Sequence, residues 1–148
     1  MFAGDIGFRV FKLNTSNIRA WNPRPKNVTQ AVIDYQEHLS ESRSEADVLY
    51  ELLIKLGLDL CVPIEQQKIA GKMVHSIGGG VLLACLTEQI TRDQVEDLAQ
   101  GIVTWHKAQA PASDSTCVFR DSAFTDDIAK TNLAAILNQA GIKNVRSL

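Results

Sequence analysis

The spacing of apolar and polar residues predicts four helices along the chain. Asn27–Leu39 carries apolar side chains at helical intervals, and a polar break at residues 40–44 follows it. The second helix begins near Ser42 and Glu45, whose spacing is that of a capping box, and it is expected to run to Leu56 and end at Gly57. Its expected apolar face consists of Leu49, Leu52, Leu53 and Leu56.

The other two helices are predicted in the second half of the chain. Thr91 and Gln94 form another capping-box pair ahead of a helix over Arg92–Lys107. The last helix follows Thr125, the expected N-cap, and is expected to stop at Gly141 in a left-handed conformation. The apolar faces are Val95, Leu98, Ala99 and Ile102 in one helix and Leu133, Ile136, Leu137 and Ala140 in the other.

Alternating patterns and short apolar runs predict the strands. The clearest prediction is a β-hairpin, in which Lys72–Ile77 and Val81–Thr87 are joined by a turn at Gly78–Gly80. The second limb is apolar on both faces, which is typical of a central strand. Further strands are predicted at Phe8–Leu13, Gln66–Ala70, Cys117–Arg120 and Ile142–Leu148, the last of them at a sheet edge.

This order of elements indicates an α/β fold, with α+β as the alternative. We expect a small mixed sheet with a glycine-turn hairpin and about four helices, arranged in layers. Residues 1–40 form a lead-in of strand, loop and helix, and residues 41–148 form the compact α/β part. At 148 residues the chain is best treated as one domain.

Composition and charge narrow the classes of function. The net charge is −2 and aromatic residues make up 6% of the chain, so neither a basic surface nor a stacking platform for nucleic acid is expected. The three cysteines lie far apart in apolar runs, which predicts buried, reduced thiols in a cytoplasmic protein. The longest apolar run, Val81–Leu86, is too short to cross a membrane, and the first ten residues do not resemble a signal peptide.

Most of the candidate chemistry has a simpler structural explanation. The three glycines join two predicted strands and no Lys follows them, so they lack the context of a phosphate-binding loop. His38, His75 and His106 are isolated and have no metal-ligand spacing. No serine or cysteine lies in a nucleophile signature.

The turn between Cys117–Arg120 and the last helix is the richest in polar groups. Asp126 and Asp127 are expected in the first helical turn, where the helix dipole favours negative charge, and Lys130 has the spacing to pair with either. The three acids of this turn could instead bind Mg²⁺ through oxygen ligands. The candidate structural or partner-contact residues are Arg120, Asp121, Ser122, Thr125, Asp126, Asp127, Lys130 and Asn132.

Four segments of the chain resemble the C-terminal region of the modification (Mod) subunit of type III restriction–modification systems. They are GFRVFKLNTSNIRAW (7–21), RSEADVLYELLIKLGLDLCVPIE (43–65), GKMVHSIGGGVLLACL (71–86) and VFRDSAFTDDIAKTNLAAILNQAGIKNVRSL (118–148). They cover well over half of the chain, and the last is the most specific. The subunit is a DNA methyltransferase that transfers a methyl group from S-adenosylmethionine to the exocyclic amine of adenine.

The motifs that carry this chemistry in the family are missing here. The four prolines, Pro23, Pro25, Pro63 and Pro111, are never adjacent, so there is no DPPY-type tetrapeptide. The glycine loop FxGxG is also absent in its proper context, because Phe2-Ala3-Gly4 is followed by a displaced Gly7. The resemblance therefore implies no catalytic, cofactor-binding or metal-binding residue in this chain.

The resemblance implies a non-catalytic C-terminal module that supports subunit assembly or the architecture of a DNA complex. Its expected partners are the remainder of the methyltransferase, a second Mod subunit and the restriction subunit, with DNA contacted only through the full complex. S-adenosylmethionine would be the cofactor of the parent enzyme, and we expect this chain to be inactive alone. The alternative is a small α/β domain that binds a ligand or metal at the acidic turn, residues 121–127.

Overall fold

The computed structural model describes residues 7–18 and 43–148, in which a mixed five-stranded sheet is combined with three α-helices. This arrangement confirms the predicted small α/β fold. The predicted helix at Asn27–Leu39 lies outside the described residues. The elements are α1 (Glu45–Lys55), β1 (Ile64–Ile69), β2 (Lys72–Ile77), β3 (Leu82–Cys85), α2 (Arg92–Gln109), β4 (Thr116–Phe119), a 3₁₀ turn (Asp121–Ala123), α3 (Asp127–Gln139) and β5 (Asn144–Ser147).

The strands lie in sequence order, β1-β2-β3-β4-β5, and the sheet changes direction at β3. β1, β2 and β3 form an antiparallel meander, whereas β4 and β5 continue parallel to β3. Parallel neighbours need a crossover, and α2 and α3 provide the two crossovers. All four residues of β3 are buried, which confirms its prediction as a central strand.

Apolar residues on the two faces of the sheet form two separate clusters. Successive side chains of a strand point to opposite faces, so Leu83 and Cys85 belong to one cluster and Leu82 and Ala84 to the other. The first cluster includes the buried faces of α2 and α3, and the second includes α1. The sheet is therefore the middle layer of three.

The N-cap of α1 lies two residues later than the sequence analysis predicted. This N-cap is Ser44, whose side chain accepts a hydrogen bond from the backbone N–H of Asp47, while the Asp47 carboxylate accepts from the Ser44 backbone. The predicted pairing of Ser42 with Glu45 is wrong, because Glu45 is the first helical residue; Ser42 itself lies outside the described residues. The helix ends at Lys55, and Gly57 follows with φ +70.

The helix α2 has the N-terminus that was predicted. The side chain of Gln94 accepts a hydrogen bond from the backbone N–H of Thr91 at 3.3 Å, which completes the capping box. The helix passes so close to the end of β1 that a Cβ at Gly101 would collide with Cγ2 of Ile69. Only glycine fits at this position without displacement of its neighbour.

The glycine turn between β2 and β3 is confirmed. Gly78, Gly79 and Gly80 have φ of +64, +64 and +92, a region that side chains rarely adopt. Gly80 is also buried, and a Cβ there would lie 3.0 Å from Oε1 of Gln109. The turn therefore has a conformational reason for three glycines and a packing reason for the third.

Two predictions from the first half of the chain are wrong. Phe8–Leu13 forms no strand, because the segment makes no ladder with the described strands. Cys61, predicted to be buried, is exposed because it lies in the loop between α1 and β1, whereas Cys85 and Cys117 are buried as predicted. No helix in the described part of the chain is both long and apolar enough to cross a membrane.

Candidate functional site at the β4–α3 junction

The junction lies where the chain leaves the carboxyl end of β4 and turns into α3. Backbone hydrogen bonds extend the β4–β5 pairing into it: the N–H of Asp121 donates to the carbonyl of Leu148 at 3.0 Å, and the N–H of Leu148 donates to Phe119 at 2.9 Å. Phe119 and Phe124 pack edge-to-face with ring centroids 5.9 Å apart. Backbone hydrogen bonds to the sheet and the contact between these two rings thus fix the position of the junction.

The carboxylate of Asp121 pairs with the ammonium group of Lys130 on α3. The sequence analysis predicted that Lys130 would pair with Asp126 or Asp127 along the helix, and this prediction is wrong. The 3₁₀ turn brings Asp121 back over the first turns of α3, so a residue nine positions away reaches the lysine. The two side chains are 41% and 42% exposed, so the pair lies at the rim of the domain.

Asp126 is the N-cap of α3 and also an ion-pair partner of α2. One carboxylate oxygen accepts a hydrogen bond from the backbone N–H of Ala129 at 2.7 Å, and the other accepts from Nη2 of Arg92 at 2.9 Å. The backbone N–H of Ala129, with the guanidinium of Arg92 as a further cause, lowers the pKa of Asp126. A single carboxylate therefore connects the N-termini of two helices.

The predicted N-cap, Thr125, is wrong by one residue. Its backbone N–H donates to the carbonyl of Ile90 at 3.3 Å, and the N–H of Ile90 donates to the carbonyl of Ala123 at 2.7 Å. Because this bridge holds Phe124 in an extended conformation, the helix begins one residue later. Asp127 is consequently the first helical residue, and Asp126 lies outside the first turn.

The remaining candidate residues face solvent to different degrees. Nε of Arg120 donates to Oγ of Ser122 at 2.8 Å, which closes the turn after β4. Ser122, Asp127 and Asn132 are exposed, and Arg120 is half-buried. The structure thus pairs Asp121 with Lys130 and Asp126 with Arg92, but leaves the side chains of Asp127 and Asn132 on the surface.

Arg92 is the residue of this junction that the sequence analysis missed. It lies 34 residues before Asp126, and no local pattern connects the two positions. Among residues 7–18 and 43–148, no three His, Cys, Asp or Glu side chains are grouped closely enough to hold a metal ion. Asp121 and Asp126 each have a cationic partner, which a bound cation would have to displace.

The described histidines have structural contacts elsewhere in the fold. His106, near the end of α2, has Nε2 2.7 Å from Oγ of Ser115, and burial together with the charge of Lys107 lowers its pKa. His75 is buried in β2, with Nε2 3.5 Å from Oε2 of Glu45. Neither histidine lies at the β4–α3 junction.

The chain is thus a three-layer α/β domain. In its most polar turn, residues 121–127, the charged side chains form a helix N-cap and two ion pairs. No family model, curated protein or solved structure matches the chain.

Proposed function

We propose that this chain is a non-catalytic C-terminal module of a type III restriction–modification DNA adenine methyltransferase. Its role is to support subunit assembly or the architecture of the DNA complex. The observation that carries the proposal concerns residues 118–148, the segment that most resembles the Mod subunit. Its charged residues Asp121, Asp126 and Lys130 are engaged in two ion pairs and a helix cap, which supports a structural role for this segment.

The chemistry of these contacts supports a structural role. A general acid or base needs a position from which it can reach a substrate, with a pKa near the working pH. The pKa of Asp126 is instead lowered by the hydrogen bond from Ala129, which suits a permanently ionised cap. Because the Asp126 carboxylate fixes the N-termini of α2 and α3 relative to each other, it contributes to the rigidity of the domain.

The proposal assigns chemistry and cofactor to the rest of the enzyme. S-adenosylmethionine and the target adenine would bind to the catalytic region, and this module would contact that region, a second Mod subunit or the restriction subunit. The net charge of −2 supports an indirect role in DNA binding, because counterion release needs a surplus of Lys and Arg at the interface. The proposed location is the cytoplasm, where such enzymes act.

Two measurements on the purified chain test the proposal. Isothermal titration with S-adenosylmethionine should give no heat of binding, and size-exclusion chromatography with the catalytic region of a Mod subunit should give a co-eluting complex. An adenine methyltransferase that acts without a second subunit is the control and should elute separately. Micromolar binding of S-adenosylmethionine by the chain alone, or failure to associate with any Mod or restriction subunit, would contradict the proposal.

A thermal-shift measurement separates this function from ligand binding at the acidic turn. A ligand that binds only the folded state raises the melting temperature by mass action. If Mg²⁺ stabilises the chain and Asp121→Ala removes the effect while Asp127→Ala also weakens it, the turn is a metal site. An unchanged melting temperature leaves the assembly role as the better account.

A further inference from the structure

The segment at residues 7–18 lies along α1 and runs in the opposite direction, because its first residues contact the chain after the end of α1 and its last residues contact the first half of α1. Near the end of α1, Nη1 of Arg9 donates to the carbonyl of Leu60 at 2.7 Å. One step further, Phe11 packs edge-to-face on Tyr50 of α1 with ring centroids 4.9 Å apart. These contacts use side chains and place the segment on the outside of the α1 layer.

The other end of the segment is fixed by hydrogen bonds to α1. The backbone N–H of Asn17 donates to Oε2 of Glu51 at 2.6 Å, and Nδ2 of Asn17 donates to the carbonyl of Asp47 at 3.0 Å. Ser16 donates to the second oxygen of Glu51. The segment therefore has a defined course, although it contributes none of the five described strands of the sheet.

Between these attachments, large apolar side chains are left in solvent. Phe8 is 87% exposed, Val10 is 82% exposed and Leu13 is 95% exposed, whereas the next large apolar residue of the described chain, Ile54, is 62% exposed. The backbone of residues 8–13 makes no backbone–backbone hydrogen bond to the rest of the described chain. Several exposed apolar side chains on a backbone segment without hydrogen-bond partners in the described chain are typical of a surface that takes a partner.

The residues of this segment are those of a strand. FRVFKL has the aromatic and β-branched residues that favour strands, and its pattern led to the strand prediction in the sequence analysis. Within residues 7–18 and 43–148, no strand pairs with residues 8–13. The sequence and the structure agree if the neighbour is supplied by another polypeptide segment.

We propose that residues 8–13 are a docking strand that pairs with an extended acidic-apolar peptide segment. Residues that face each other across a strand pair are stabilised when apolar meets apolar and when opposite charges meet. The order of FRVFKL is apolar, basic, apolar, apolar, basic, apolar. The complementary segment is therefore apolar, acidic, apolar, apolar, acidic, apolar, and because this pattern is symmetric it suits either strand direction.

A second copy of the same chain is the less suitable occupant. Antiparallel pairing of all six residues would place Arg9 opposite Lys12, and parallel pairing in register would place each basic residue opposite itself. Like charges directly opposite one another are destabilising. No six-residue stretch of the 148 residues has the complementary pattern, so the partner segment lies outside this sequence. This inference does not depend on the proposed function.

The test uses the full chain and a fluorescein-labelled peptide, SVEVVEVS, in a fluorescence anisotropy titration. A matched peptide, SVKVVKVS, reverses the charges and keeps the apolar positions. We expect the acidic peptide to bind about tenfold more tightly than the basic one, and Lys12→Glu to remove that preference. Val10→Pro removes a backbone N–H and is expected to weaken binding about tenfold as well.

A control variant distinguishes specific peptide binding at the docking strand from nonspecific binding to exposed apolar surface. Ile128 is 55% exposed on α3, so Ile128→Ser removes a comparable apolar side chain elsewhere and should leave binding unchanged. Circular dichroism should show that all three variants are folded, because residues 10, 12 and 128 lie outside the core.

Four outcomes overturn the proposal. The first is no saturable binding of the acidic peptide up to about 1 mM, which is the weak limit for a specific complex of this size. The second is equal loss of binding in Ile128→Ser. The third is a concentration-dependent dimer in analytical ultracentrifugation that Val10→Pro dissolves, which would make the occupant a second copy. The fourth is preferential binding of a labelled oligothymidine that Lys12→Glu abolishes, which would make the segment a nucleic-acid contact.

Discussion

The carboxylate of Glu51 is the main attachment of residues 16–17 to α1, and Glu51→Gln tests its contribution to stability. It accepts hydrogen bonds from the backbone N–H of Asn17 at 2.6 Å and from the hydroxyl of Ser16, and it pairs with Nζ of Lys55 at 2.9 Å. The Glu51 side chain is only 13% exposed. Glutamine keeps the size of the side chain but removes the charge and one acceptor oxygen.

The expected magnitude follows from the pKa of this group. Burial raises the pKa of Glu51, but the hydrogen bonds from Ser16, Lys55 and Asn17 and the charge of Lys55 outweigh burial and lower the pKa from 4.5 to about 2. That difference corresponds to at most about 3 kcal/mol of preferential stabilisation of the ionised form. Solvent screening at the edge of the domain reduces the expected loss in Glu51→Gln to about 1–2 kcal/mol.

The sign of the pH dependence follows from the lowered pKa. Above pH 4.5 the carboxylate is ionised in both the folded and unfolded states, so its full stabilisation is present. As the pH falls from 4.5 towards about 2, the unfolded state gains a proton before the folded state does, and the stabilisation is lost. At pH 3 less than half of it should remain.

Urea unfolding of the wild type and Glu51→Gln at pH 7 and pH 3 measures this directly. The difference in free energy of unfolding should be largest at pH 7 and should shrink to less than half at pH 3. Glu96→Gln, on the exposed surface of α2, is the matched control and should show little difference at either pH. Hydrogen exchange at the amide of Asn17 should accelerate in Glu51→Gln. Equal differences at the two pH values would refute the reasoning.

Three further predictions concern the core, the junction and the thiols. Gly101→Ala should destabilise the domain by about 1–2 kcal/mol, because the clash with Ile69 outweighs the gain in helix propensity, and Ile69→Ala in the same chain should cost less than it does alone. Asp121→Ala should lower the free energy of unfolding, measured in urea, by about 0.5–1 kcal/mol and Asp127→Ala by less than about 0.5 kcal/mol, and the reverse order would contradict the geometry of the junction. Native protein should react with Ellman's reagent at one thiol, that of Cys61, and urea should release the other two; two or three fast native thiols would show that the assigned burial is wrong.

The chemical reason for the thiol prediction is burial. It raises the pKa of Cys85 to about 11 and also raises that of Cys117, so neither forms the reactive thiolate at neutral pH. Both lie in the apolar cluster beneath α2 and α3. The sequence analysis predicted that all three thiols are buried. The exposure of Cys61 could not be predicted from the apolar residues around it.

Local patterns were sufficient to predict most of the elements. The helix α3 and its stop at Gly141, the capping box of α2 and the glycine-turn hairpin each depend on residues a few positions apart. Apolar residues at intervals of three and four define a buried helix face whatever the rest of the chain does, and three consecutive glycines permit a positive-φ turn. The same local information predicted a central β3, because a strand that is apolar on both faces must be covered on both.

Contacts between distant residues were decided only by the tertiary structure. The sequence pattern allowed Lys130 to pair within its own helix, but the 3₁₀ turn brings Asp121 to it instead. The bond between Asp126 and Arg92 spans 34 positions, and it exists only because two crossover helices begin beside each other. Whether FRVFKL becomes a strand is decided in the same way: residue propensity makes a strand favourable, but hydrogen bonds from a neighbouring strand are what complete it, and no local pattern can supply the neighbour.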